Sequence, residues 1–96
     1  MADVRLIYDG ERQLKPLVEA ALANELRLTE AGLKQTENRV SEFEKRHRMS
    51  SQEFIARYEN DEIAETTDFA EWIGELRLSQ RLREKIETLR DIRFEN

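Results

Sequence analysis

The chain has 96 residues, of which 39% are charged, with three glycines, one proline, no cysteine and a net charge of −5. A chain this short forms one domain at most and buries a thin core, for which oligomerisation is a natural remedy. The absence of cysteine excludes a disulfide framework, a zinc ribbon and a thiol nucleophile, and so many charges with so few Gly and Pro fit long solvated helices better than an α/β domain.

The first segment, "VRLIYDG" at 4–10, is the only β-like one. Val4, Leu6 and Tyr8 alternate with Arg5 and Ile7, and Asp9-Gly10 signals a turn. The pattern predicts a short strand over 4–8, with a frayed terminus or an extra helical turn as the alternative. A lone strand cannot satisfy its own backbone groups, so a copy of itself or a partner is the expected neighbour.

A long helix is expected over 12–47. Proline is tolerated in a first turn, which places the start between Glu11 and Pro16, and Gly32 is the one weak point downstream, at about 1 kcal/mol against Ala. Leu22, Leu26, Thr29, Leu33, Thr36, Val40 and Phe43 are spaced alternately by four and three, the heptad interval. The threonines weaken that seam. A helix of this length spans about 50 Å, whereas a compact chain of this size has a radius of gyration of roughly 12–13 Å. The expectation is that the helix projects from a small body or lies along a second chain, with Leu22, Leu26, Leu33 and Val40 at a dimer interface.

At "HRMSSQEF" the chain stops and restarts. Ser50 is an N-cap type, Glu53 completes a capping box, and Met49 and Phe54 are placed as a hydrophobic staple. A short helix over 51–59 follows, with Phe54, Ile55 and Tyr58 on one face, expected to pack against Phe69, Trp72 and Phe43. Thr67 or Asp68 then caps a third helix over 68–93, with Phe69, Trp72, Ile73, Leu76, Leu82, Ile86 and Leu89 along one face. The third helix returns antiparallel to the first. The fold class read from the sequence is therefore mainly α: a coiled-coil-like helical hairpin with a short N-terminal strand and a corner helix, a single domain over 1–96, expected as a dimer.

Charge is unevenly spread. Residues 1–48 hold nine basic and nine acidic side chains, residues 49–75 hold one and eight, and residues 76–96 hold six and four. The corner is thus acidic by a net seven charges, which repels nucleic acid and attracts a basic partner.

The stretch 47–76 resembles a group of small prokaryotic helical antitoxins from toxin–antitoxin gene pairs. The shared pattern is a long charged helix, a Met-Ser-x-x-x-Phe helix start, an acidic turn and an Asp-Phe-x-Glu-Trp helix opening, met here by Met49, Ser50, Phe54, Tyr58, Glu59, Asp68, Phe69, Glu71 and Trp72. The resemblance implies a chain that binds and neutralises a toxin encoded beside it.

No enzymatic motif competes with that reading. His47 is the only histidine, no Walker A, GxGxxG or H-E-x-x-H pattern occurs, and the serines lack a second histidine to share proton transfer. The acidic run contains no glycine between Asp61 and Gly74, which excludes an EF-hand loop. No cofactor is expected. No apolar run approaches the ~20 residues of a membrane span, and Asp3 and Arg5 interrupt any signal-peptide pattern, so a cytoplasmic protein is expected. The function read from the sequence is a non-enzymatic protein-binding module whose partners are itself and a basic protein. Glu59, Asp61, Glu62, Glu65 and Asp68 would steer the partner, and Tyr58 or Trp72 would anchor it. The alternatives are a dimeric DNA-binding regulator whose paired N-terminal strands enter the major groove with Arg5, Arg12 and Lys15 as the contacts, which an acidic chain disfavours, and a helical scaffold subunit.

Overall fold

A computed structural model describes residues 2–5 and 14–95. Five elements follow one another: β1 (Ala2–Arg5), α1 (Leu14–His47), α2 (Ser51–Glu59), α3 (Thr67–Asp91) and β2 (Ile92–Glu95). Pro16 is the third residue of α1, where its missing N–H has no intrahelical partner to lose. From there the helix runs 34 residues without interruption and closes on Lys45, Arg46 and His47, cations that complement the negative end of its dipole.

Helix α3 turns back along α1. The order of the cross-links proves the antiparallel sense: Arg46 meets Asp68, Arg39 meets Glu75, Glu37 meets Arg83, Glu30 meets Arg90 and Glu25 meets Lys85. From Arg46 down to Glu30 on α1 the partner on α3 rises from Asp68 to Arg90, and Glu25 reaches back one turn to Lys85. These pairs lie at the surface, exposed or half-buried, where an ion pair is worth only ~0–1 kcal/mol, so they register the hairpin more than they hold it. The result is a rod of 61 × 22 × 17 Å with a radius of gyration of 19.1 Å. The elongation expected from α1 is present, but the surface that covers α1 belongs to α3 of the same chain. The length of α1 therefore does not by itself call for a second copy. Leu22, Leu26, Leu33 and Val40 are half-buried within the single-chain hairpin.

The threonines of the heptad seam are its most enclosed members. Thr29 and Thr36 are 5% and 1% exposed. Thr29 Oγ1 donates to the Glu25 carbonyl at 2.8 Å, and Thr36 Oγ1 accepts from Arg39 Nη2 at 3.4 Å. A hydroxyl satisfied on its own helix adds little polarity to an interface, and small side chains leave room for a neighbouring helix. Opposite them on α3, Ser79 is 3% exposed and donates to the Leu76 carbonyl. No buried side-chain polar atom lacks a hydrogen-bond partner among the described residues.

The third helix ends at Asp91, two residues before its expected end at 93, and Ile92–Glu95 forms a strand that the sequence reading does not contain. β2 pairs in parallel with β1, Ala2 opposite Ile92 and Arg5 opposite Glu95. The N-terminal strand thus finds a neighbour within the chain. It also lies earlier than expected; residues 6–8 of the expected strand, and Arg12, lie outside the described residues. No helix among the described residues is long and apolar enough to cross a membrane.

Candidate partner-binding corner

The corner between α1 and α3 is built from backbone caps. Arg48 sits at φ 52°, and the Met49 N–H reaches back to the Glu44 carbonyl at 3.2 Å, the six-to-one bond of a Schellman ending. Two residues later Ser50, at φ −72° and ψ 155°, accepts the Glu53 N–H on its side chain at 3.1 Å. The chain thus closes one helix and opens the next across three residues. Glu53 does not complete the reciprocal half of a capping box; its carboxylate pairs with Arg57 at 3.6 Å. The reach from outside comes from α1, where Glu44 Oε2 accepts the Ser51 N–H at 2.8 Å.

The far end of α2 repeats the device. Asp61 stands at φ 56°, its N–H donates to the Tyr58 carbonyl at 3.2 Å, and the Glu62 N–H donates to the Arg57 carbonyl at 2.9 Å. Both bonds of the Schellman motif are present around an aspartate, in the αL position glycine usually fills. Helix α3 is capped by Thr66, whose Oγ1 accepts the Phe69 N–H at 3.1 Å, and not by Thr67 or Asp68.

Side chains from all three helices fill the corner. Phe43, Phe54, Trp72 and Ile73 form the buried cluster, with Met49, Ile63, Phe69 and Leu76 packed against it. The indole of Trp72 lies parallel to Phe54 at 4.0 Å between centroids, and also stacks with Phe43 at 5.9 Å and His47 at 5.7 Å. Its Nε1–H donates to Ser51 Oγ at 3.2 Å. Of the three α2 residues expected to pack on Phe69, Trp72 and Phe43, Phe54 does so and Met49 packs against the same cluster, whereas Ile55 and Tyr58 line the surface between α2 and α3 with Ile73 and Leu76.

The partner-binding residues expected from sequence divide into two groups. Trp72 is fully buried, so in this conformation it supports the corner and touches no partner. Asp68 is half-buried and engaged: Oδ2 accepts from Arg46 Nη1 at 2.9 Å and lies 2.9 Å from His47 Nε2. The hydrogen bond from Arg46, then that from His47, holds its carboxyl below the usual aspartate range. That leaves Glu59, Asp61, Glu62 and Glu65, all exposed on or just beyond the C-terminal end of α2, none of them in an ion pair among the described residues. Tyr58 stands beside them, 38% exposed, with its ring 6.2 Å from Phe54. At the other end of the rod Arg5 is exposed on β1 and Lys15 is half-buried in the first turn of α1.

One feature next to the corner has no counterpart in the sequence reading. A groove of about 430 Å³ runs between α2 and α3, lined by Ile55, Tyr58, Ile73 and Leu76 with Glu59 and Arg77 at its edges. The signal was Ile55 one position after Phe54, an apolar side chain that a single buried stripe does not use. No protein-family profile matches this chain, and no curated protein or solved structure matches it either.

Proposed function

We propose that the chain is a protein-binding module that holds a basic partner at its acidic corner, in the manner of the antitoxins that residues 47–76 resemble. The observation that carries this reading is the set of four acidic side chains, Glu59, Asp61, Glu62 and Glu65, exposed at and just beyond the end of α2 without counter-charges among the described residues and adjacent to Tyr58, 38% exposed. The other acids of this region are largely answered within the chain: Glu53 by Arg57, Asp68 by Arg46 and Glu75 by Arg39. Four like charges gathered at the end of a rod raise the local concentration of a cationic protein and speed encounter. The carbonyls at the C-terminal end of α2 add the negative end of a helix dipole to the same spot. Tyr58 supplies a ring with a polar tip, a side chain enriched at interface hot spots.

The test is a binding-rate series against ionic strength with the product of the neighbouring gene. Neutralising the four acids together to Gln or Asn slows association and flattens its salt dependence while the isolated chain stays folded. Unchanged rates and unchanged salt dependence would place the partner elsewhere and leave the corner as a solvated turn.

A further inference from the structure

We infer that the groove between α2 and α3 receives an amphipathic helix of the partner, with an apolar stripe flanked by basic residues on one side and an acidic residue on the other. The inference rests on the protein-binding reading above and names what that surface holds.

The groove has the form such an occupant requires. Its lining comes from one face of each helix: Ile55, Tyr58 and Glu59 recur at helical spacing on α2, and Ile73, Leu76, Arg77 and Gln80 do so on α3. Ile73 is buried, Ile55 and Leu76 are half-buried, and Tyr58, Glu59, Arg77 and Gln80 are exposed. The floor is therefore apolar and the rims are polar. Two helices side by side leave a trough that a third helix fills by ordinary ridge-into-groove packing, and helix-in-groove recognition reads apolar anchors at i, i+3/i+4 and i+7.

Charge selects the occupant. The walls carry opposite signs, Glu59 on α2 and Arg77 and Arg83 on α3; Arg83 is held by Glu37, whereas Glu59 and Arg77 are in no ion pair among the described residues. The α2 wall is reinforced by Asp61 and Glu62 just past its end. A helix laid between such walls is matched when its α2-facing flank is basic and its α3-facing flank carries an acid, the same logic that sets partner choice at the flanks of a coiled-coil seam. A wholly acidic amphipathic helix is repelled by the α2 wall.

The experiment uses the full chain and a displayed library of amphipathic helical peptides with a fixed leucine stripe and randomised flanking positions. Selection enriches peptides with Lys or Arg on one flank and Asp or Glu on the other. Amide shifts on binding cluster at Ile55, Ile73 and Leu76. Gln80→Trp, which plugs the trough from an exposed position, weakens the selected peptides at least tenfold while circular dichroism stays unchanged. Glu59→Lys weakens them similarly and shifts the preference toward acidic flanks. Failure to enrich any peptide, or peptides that bind Gln80→Trp as well as the parent, overturns the proposal. So does concentration-dependent dimerisation that Gln80→Trp abolishes, which would assign the groove to a second copy. These outcomes are separable from failure of the protein-binding reading, because that reading is tested by association rate and salt dependence at the four acids, without altering Gln80.

Discussion

Asp68 Oδ2 lies 2.9 Å from His47 Nε2, a contact across 21 positions of chain that pins the start of α3 to the last turn of α1. Arg46 donates to the same oxygen, so one carboxylate serves two residues of the preceding helix. It also stands in the first turn of α3, where negative charge is favourable.

The acid sensitivity of this clamp has a defined sign. The folded-state pKa of Asp68 is depressed, by Arg46 first and His47 second. Its contribution to stability is therefore fully present above the unfolded aspartate value of about 3.9 and is lost as pH falls through the lower folded value. Asp68→Asn is expected to melt earlier than the parent at pH 7, with the two curves converging below about pH 4. Lys85 lowers the Glu25 carboxyl in the same direction, so the difference between parent and variant, and not the parent curve alone, isolates Asp68. A constant difference from pH 7 to pH 2 would show that the clamp is not electrostatic.

The caps give a discriminating set of substitutions. Ser50→Ala and Thr66→Ala each remove an acceptor that a backbone N–H uses, at an expected cost of about 0.5–2 kcal/mol. Thr67→Ala removes no cap and is expected to stay within about 0.5 kcal/mol of the parent, as exposed substitutions usually do. Urea unfolding of the three variants checks the order. Equal effects for Thr66 and Thr67 would mean that Thr66 is not the cap of α3.

Two non-glycine residues occupy the left-handed region, Arg48 at φ 52° and Asp61 at φ 56°. That conformation costs an L-residue roughly 1–2 kcal/mol, partly offset by the extra unfolded-state freedom a glycine would bring. Arg48→Gly and Asp61→Gly are each expected to raise stability by about 0.5–1 kcal/mol, whereas Arg48→Ala, which keeps the Cβ, gives no such gain. Thermal melts of the three variants at neutral pH provide the measurement. Destabilisation by both glycines would mean that the two turns are not held at positive φ in solution.

Legibility from sequence followed the range of each interaction. Ser50 with Phe54 four positions later is a local signature, and α2 spans 51–59 as the spacing predicts. The Schellman endings at Arg48 and Asp61 were hidden because the usual signal is glycine, and the chain's glycines lie at 10, 32 and 74. The sequence reading puts the α3 cap at Thr67 or Asp68, one or two positions late: Thr66 is the same capping type, and that Arg46 and His47 claim Asp68 is a long-range fact. β2 has no local signature, because its partner strand lies about ninety positions away, and its first two residues extend the helical pattern of α3. Of the candidate site, the acids and Tyr58 were readable from charge and exposure of type, whereas the burial of Trp72 depended on how three helices converge.

Phe54 is the residue on which the corner rests most directly. It is the one buried residue of α2, fully enclosed, with its ring stacked on Trp72 at 4.0 Å and 9° and near Phe69 at 5.4 Å. Truncating a buried Phe to Ala typically costs about 3–5 kcal/mol, a large share of the ~5–15 kcal/mol that holds a small domain together. The loss falls on one end of the rod, because Thr29, Thr36, Ser79 and Ile86 are buried outside the aromatic cluster. Phe54→Ala is therefore expected to expose the only tryptophan, Trp72, and red-shift its fluorescence, while much of the helical circular dichroism from α1 and α3 survives at low temperature. Leu28→Ala, at a position 58% exposed, is the matched control and is expected to change neither signal. If the two variants melt together with the same fluorescence maximum, α2 does not dock on Trp72, and the groove and acidic corner that depend on that docking lose their foundation.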